Sequence, residues 1–529
     1  MLRVRFFYLF LAVFLCCVLC LPVLSNTKAD KDFFAVYELN VKGDYIDYLM
    51  EDLNEDGLND GLFFHSKRKG RTVSRFFSVF YQHPNGFNKQ ADYQFEIDHD
   101  AVVYDLADVD PDPGKEILFF KNQGLFYYKM IDARYDATPI LLLETPSIFK
   151  LADKLFLERL NFARDLNNDG IDEIIIPQFH HYLIYSKQPD DNQTAGKYSM
   201  TAKLDCPMLN SVMSLKEVSR YLISTFLTPN TLIVDYNRDQ LSDIVTIHDE
   251  YLKIFFQNKA GEFSNADSII INLNFILTQA YSSRIGNGNI HQRDRFQDKM
   301  GITSLADLNN DGLLDMILEK FSMKDGAFNP KKQFQVFFGR PDPDNPRNGG
   351  IFNKIPDHII INRGFQIHSK IGDLNNDGKK DIYIPVIEIG VFQFITMLVT
   401  GDVDVTVLWY VMDKAGHYRK KPDFELEVSV EIDTKGRKFP VSSINGDFNG
   451  DGRKDFLRAQ DGKLMIHYAP DDGEPKEKPD VEVAIELPDN GKMVKPQMVN
   501  ADAKSDVVMV FTPNGKTIKK GKVQILITK

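Results

Sequence analysis

Asp307-Leu308-Asn309-Asn310-Asp311-Gly312-Leu313-Leu314-Asp315, followed at once by the apolar run Met316-Ile317-Leu318, is the stretch on which the reading of this chain turns. Oxygen-bearing side chains stand at positions 1, 3 and 5, glycine at 6 and a carboxylate at 9. In a tightly wound loop alternate side chains can turn toward one centre, and glycine at position 6 permits the sharp turn this requires. The short apolar run that follows, bounded by turn residues, reads as a buried strand.

The pattern recurs along the chain in one register. DLNEDGLND supplies Asp52, Asn54, Asp56 and Asp60, and DVDPDPGKE supplies Asp108, Asp110, Asp112 and Glu116. DLNNDGIDE supplies Asp165, Asn167, Asp169 and Glu173, and DYNRDQLSD supplies Asp235, Asn237, Asp239 and Asp243. The opening copy supplies Asp307, Asn309, Asp311 and Asp315, DLNNDGKKD supplies Asp373, Asn375, Asp377 and Asp381, and DFNGDGRKD supplies Asp447, Asn449, Asp451 and Asp455. An eighth copy, MVNADAKSD, keeps Asn500, Asp502 and Asp506 but begins with Met498 and has Ala503 for the glycine. Gln240 and Pro113 also replace the glycine, Gly114 following one place later, so these two loops are expected to be distorted.

Start-to-start spacings are 56, 57, 70, 72, 66, 74 and 51 residues, periods that indicate stacked units or a propeller. A second strand and a Gly-bearing turn often follow the first, as in Leu252 to Phe256 before Lys259-Ala260-Gly261. Units of this length hold about four short strands, the content of a propeller blade. The expected fold is therefore an all-β β-propeller over residues 30–529, with eight blades favoured over seven. Seven would require the eighth copy and the strands before Asp52 to make one closing blade. Closed propellers commonly share a sheet between their first and last segments, so Phe33 to Val41 is expected to pair with Val523 to Thr528, removing the edge.

These residues resemble the FG-GAP and VCBS repeats of the β-propellers of integrin alpha subunits and of many bacterial exported proteins, from about Asp52 to the C-terminus. The stretch Asp235 to Phe263 looks most like a VCBS unit, and Val336-Phe337-Phe338-Gly339 resembles the Phe-Gly strand end of an FG-GAP unit. The resemblance implies an integrin-alpha-like propeller whose calcium loops lie on the face away from the ligand.

The donor set independently points to calcium. Carboxylates and an amide at positions 1, 3, 5 and 9, with the backbone carbonyl of position 7, approach the about six to eight oxygen ligands that Ca²⁺ accepts in irregular geometry. Mg²⁺ demands a stricter octahedron, and a softer metal would need Cys or His. An isolated copy could be only an Asx-turn; seven in register argue for metal loops. Several structural Ca²⁺ ions are thus the expected cofactors.

Composition agrees. Of 529 residues, 43% are hydrophobic, enough for a large core and against intrinsic disorder. Lys plus Arg number 63 against 75 Asp plus Glu, a net charge of −12 that argues against a nucleic-acid partner. Arg3 and Arg5 precede an apolar run from Phe6 to Leu21, which reads as a secretory signal over residues 1–25 or as an uncleaved membrane anchor. Removing it leaves −14, which seven Ca²⁺ would neutralise. Three of the four cysteines, Cys16, Cys17 and Cys20, lie in that segment, so the exported chain keeps Cys206 alone, read as a packed hydrophobe, and can form no internal disulfide.

The expected role is an exported or cell-surface module that binds a protein or glycan. The alternatives are an extracytoplasmic propeller enzyme acting on a polymer, such as a lyase or hydrolase, and an assembly scaffold. No GxSxG, HExxH or P-loop occurs, and His180-His181 reads as a surface or turn pair. The longer connections Ser264 to Met300, Asp342 to Gly350, Val386 to Lys421 and Asp471 to Asp480 are the candidate binding segments, with solvated insertion as the alternative. Asn192-Gln193-Thr194 is a glycosylation sequon if the source is eukaryotic.

Overall fold

The apolar run after each loop becomes the second strand of an antiparallel sheet in the computed structural model, which describes residues 32–110, 112–150, 154–188, 197–214, 222–248, 250–273, 299–323, 330–343, 349–366, 369–387, 402–431, 441–470, 476–488, 493–511 and 521–529. The expected signal or anchor, the sequon, and parts of all four long connections lie outside these residues. Among the described residues there is no α-helix.

Eight sheets repeat one plan, each loop joining the first strand to the second. Blade 1 comprises Tyr45–Glu51, Asp60–Lys69, Thr72–Phe80 and Tyr93–Glu96; blade 2 comprises Val103–Ala107, Glu116–Lys121, Gly124–Tyr128 and Ile140–Leu143. Blade 3 is Ala163–Arg164, Glu173–Pro177, His181–Lys187 and Tyr198–Asp205; blade 4 is Asn230–Val234, Asp243–Ile247, Tyr251–Gln257 and Phe263–Asn272. Blade 5 is Lys299–Ala306, Asp315–Ser322, Lys331–Phe337 and His358–Arg363; blade 6 has Lys370–Gly372, Asp381–Ile387, Asp402–Tyr410 and Phe424–Glu431. Blade 7 is Val441–Gly446, Asp455–Gln460, Lys463–His467 and Val481–Ala484. Blade 8 takes Val494–Gln497, Asp506–Phe511 and Lys522–Thr528 from the C-terminus and Phe34–Leu39 from the N-terminus.

The closing register runs from Phe34 opposite Thr528 to Leu39 opposite Val523, the expected pairing. Because Phe34–Leu39 belongs to blade 8 whereas Tyr45–Glu51 opens blade 1, the count is eight. The core says the same. One apolar cluster fills each junction between neighbouring blades, from Phe64 and Phe119 between blades 1 and 2 round to Val508 and Phe63 between blades 8 and 1. The second strands lie between sheets and are covered on both sides, so Met316, Ile317 and Leu318 are all fully buried. That is why they read as unbroken apolar runs instead of alternating ones.

Antiparallel pairing puts the nine-residue loops on one face of the propeller and the turns between second and third strands on the other. An extra hairpin, Leu209–Ser214 with Leu222–Leu227, stands between blades 3 and 4 on that second face.

Candidate functional site

Each loop is wound by hydrogen bonds to its own side chains. In blade 5, Asp307 accepts from the N–H of Asp311 (3.1 Å) and of Gly312 (2.8 Å), and Asn309 accepts from the N–H of Asp311 (3.1 Å). Asp311 accepts from the N–H of Leu313 (2.8 Å) and from the Asn309 amide (3.0 Å). The same network gathers Asp52, Asn54 and Asp56; Asp165, Asn167 and Asp169; Asp235, Asn237 and Asp239; Asp373, Asn375 and Asp377; and Asp447, Asn449 and Asp451. It needs left-handed backbone at positions 4 and 6, as at Asn310 (φ 62) and Gly312 (φ 81). Gln240 adopts the same conformation, at φ 72, so the blade 4 loop keeps the common geometry and the expected distortion there is corrected. Its N–H still reaches Asp235 at 2.8 Å. Arg453 folds back on Asp451 in blade 7 (2.5 Å).

The ninth position has a second task that the spacing did not reveal. Asp315 is fully buried and accepts from Leu308 N–H (2.8 Å) in its own loop and from Gly339 N–H (2.7 Å) beyond the third strand. The Phe-Gly strand end is thus the donor that meets this carboxylate. Asp60, Asp243, Asp381 and Asp455 are held by equivalent pairs of N–H groups. Asp506 is too, from Val499 (3.0 Å) and Thr528 (2.8 Å), although its loop lacks a first-position carboxylate. The longer Glu116 and Glu173 accept from position 2 at 3.3 and 2.9 Å. The overlooked signal was the retention of an acid before the apolar run in all eight copies, including the degenerate one.

Burial pushes the carboxyl groups of Asp60, Asp315, Asp381 and Glu173 up to about 7 and that of Glu116 to about 8, with the other acids of the same loop adding to the rise. Among the described residues no loop brings metal-ligating atoms of three Asp, Glu, His or Cys side chains within 4.8 Å of one another; half-buried Asp98 with exposed His99 and Asp100, between blades 1 and 2, does. In the loops, position 9 faces inward while positions 1, 3 and 5 face outward. Hard oxygens, clustered like charge and an exposed fifth position beside largely half-buried first and third positions nevertheless fit a divalent cation bound at the rim, each inward carboxylate oxygen keeping a lone pair.

The blade 2 loop departs. Proline at position 6 has no N–H to give Asp108, whose own N–H donates instead to Asp172 (2.9 Å). Lys129 lies 3.1 Å from Asp110 and 2.5 Å from Asp112. Here the expected distortion is present.

The loops are joined into a ring. Position 8 donates its N–H to the preceding loop at Lys115 to Leu53 (3.0 Å), Asp172 to Asp108 (3.0 Å), Lys380 to Leu308 (2.8 Å), Lys454 to Leu374 (2.8 Å) and Ser505 to Asp447 (2.5 Å). The Asn59 amide donates to the Met498 carbonyl (2.9 Å), closing the circle between blades 8 and 1. The Gln257 amide to Leu166 (3.0 Å) and the Tyr236 hydroxyl to Gly350 (2.9 Å) bridge the two remaining junctions. Gly452 is required twice over, because its φ is 86° and a Cβ there would lie 2.3 Å from the Asn376 amide of the neighbouring loop.

The opposite face is different in kind. Phe179, in the turn before His181–Lys187, packs edge-on against Phe226 of the extra hairpin (4.7 Å between centroids), yet Phe179, Phe226 and Leu227 remain 44%, 42% and 38% exposed. Next to them the Gln178 amide donates to Pro146 (2.8 Å), the rim of an open cleft of about 610 Å³ lined also by Asn122, Gln123, Phe126, Leu141, Glu144 and Thr145. A smaller cavity of about 50 Å³ lies between blades 6 and 7 beside Trp409, Phe456 and His467. His180 is in the turn and exposed, whereas His181 starts the strand and faces Asp205 at 3.4 Å. Cys206 is fully buried, and burial pushes its thiol up to about 11, which suits packing and not nucleophilic chemistry.

No known family profile matches the chain, and no characterised protein matches it in sequence. Among solved structures it is similar to Chaetomium thermophilum Sqt1 bound to the N-terminus of ribosomal protein L10, with 8% identity over 95% of this chain and 100% of that one and a TM-score of 0.40. It is also similar to an Agrocybe aegerita lectin specific for non-reducing terminal N-acetylglucosamine, with 14% identity over 94% and 96% and a TM-score of 0.38. At these values the likenesses add nothing to the fold already described.

Proposed function

We propose that the chain is an exported β-propeller binding module of the FG-GAP/VCBS type, whose ring of loops is stabilised by calcium and whose partner, a protein or a glycan, docks on the opposite face. The observation that carries the reading is the 610 Å³ cleft together with the exposed Phe179, Phe226 and Leu227, linked to its rim by the hydrogen bond from Gln178 to Pro146. Aromatic groups left half-exposed beside polar amides and a carboxylate make a recognition surface, not a catalytic constellation. The loops support the calcium part. Clustered acids at an exposed rim repel one another, and a hard dication relieves that repulsion while leaving the carboxylates unsuited to proton transfer. Asp52, Asn54 and Asp56, with their counterparts in blades 3 to 7, would hold the ions. Export rests on the charged and apolar N-terminal segment.

The test combines fractionation of a tagged chain with a screen of protein and glycan ligands. Phe179→Ala with Phe226→Ala should abolish the interaction without changing the melt in calcium. Retention of a soluble cytoplasmic chain, or binding indifferent to those two substitutions, would overturn the reading.

A further inference from the structure

We propose that the blade 2 loop is closed by an ammonium group in place of a divalent cation, Lys129 serving as its permanent counter-ion. The inference rests on the calcium reading of the other loops and identifies a metal-independent sector in the ring. Three observations converge. Proline occupies position 6, Pro113, where the six regular loops use left-handed backbone that a proline ring, with φ fixed near about −65°, cannot adopt. Without an N–H at position 6, the Asp108 carboxylate loses the bond that orients it in every regular loop. Second, Lys129 reaches two of the remaining ligand positions at once, 3.1 Å from Asp110 and 2.5 Å from Asp112. It stands at the end of the third strand, at a place where blades 1, 4, 5, 6 and 7 carry Tyr81, Phe256, Phe338, Val411 and Tyr468. Third, Lys187 from blade 3 donates to the Val109 carbonyl of the same loop (3.0 Å), a second cationic group against one short segment.

Asp108 Oδ1, Asp110 Oδ2 and Glu116 Oε1 are buried without a hydrogen-bond donor among the described residues, and Asp110 Oδ2 meets the Lys129 ammonium as an ion pair, so a cation other than the ammonium could still find oxygen there. The ammonium already seated on Asp110 and Asp112 decides against it. Blades 1, 2 and 3 therefore keep their junction when calcium is scarce, through Lys115 to Leu53 and Asp172 to Asp108.

The experiment counts bound calcium by native mass spectrometry and measures melting with calcium or chelator. Asp110→Asn with Asp112→Asn should leave the count unchanged, whereas Asp307→Asn with Asp311→Asn should lower it by one. Lys129→Met should lower the melting midpoint in chelator by about 2 °C or more, and adding the two blade 2 asparagines should restore it. A count that falls with the blade 2 pair, an unchanged midpoint in Lys129→Met, or failure of the asparagines to restore that variant would overturn the proposal. If the wild type binds no calcium at all, the metal reading falls, and the chelator measurements still decide the role of Lys129.

Discussion

Asp315→Ala separates the two tasks of the ninth loop position. The carboxylate is fully buried, accepts from Leu308 at 2.8 Å and from Gly339 at 2.7 Å, and so ties its loop to the end of the third strand. Alanine strands two buried N–H groups, each costing about 1–3 kcal/mol, so the loss is about 2–6 kcal/mol. Unfolding entropy is about 2 cal/mol/K per residue. For a chain of 529 residues melting as one unit, that is about 1 kcal/mol per degree, and the midpoint should fall by about 2–6 °C. Thermal melts followed by circular dichroism at pH 8 suit the test, because burial has pushed this carboxyl up to about 7 and it must be ionised. The decisive condition is chelator. A pin made of protein hydrogen bonds loses the same stability with or without metal, and Asp506→Ala, in a loop with methionine at position 1, should behave alike. A shift below about 1 °C in chelator, or one seen only when calcium is present, would refute the pin and return the residue to metal ligation alone.

Chelation of the wild type should lower the melting temperature strongly, since each independent site at about 100 times its dissociation constant adds roughly 2.7 kcal/mol; identical melts with and without chelator would exclude structural calcium. In calcium, Asp377→Ala should destabilise more than Asp502→Ala, because only the first belongs to a loop with all its carboxylates; equal midpoints would contradict the ranking. Gln240→Gly should raise stability by about 0.5–1 kcal/mol in urea titrations, as the native φ of 72° strains a side-chain-bearing residue, and a loss would show that the Gln240 side chain has an unseen role. Burial pushes His248 down to about 4, so as pH falls below 6.5 the unfolded chain binds the proton first; the contribution present above 6.5 is lost toward pH 4, by up to about 3 kcal/mol. His248→Gln should show a smaller loss between pH 7 and 5 than the wild type, and equal losses would remove this histidine from the account.

The propeller was legible because its signal is local and repeated. Acids at fixed spacing, a sharp turn and an apolar run dictate loop and strand within a dozen residues, and eight copies of that order, five of them with glycine at the turn, dictate the blades. Even the pairing of the N-terminal strand with Lys522–Thr528 followed, from the rule that a ring of sheets leaves no edge open. What the local pattern could not contain is which distant atoms meet the loops. The donor to Asp315 is Gly339, the cation on Asp110 and Asp112 is Lys129, and the link that closes the ring runs from Asn59 to Met498. The surface made by Phe179, Phe226 and the cleft beside Gln178 is likewise assembled from blades 2 and 3 and a hairpin between sheets. Spacing along the chain determines backbone conformation, because dihedral preferences act between neighbours. Only the closure of eight sheets into a ring brings a lysine, a glycine amide or a pair of aromatic rings to a loop or surface formed by other parts of the sequence.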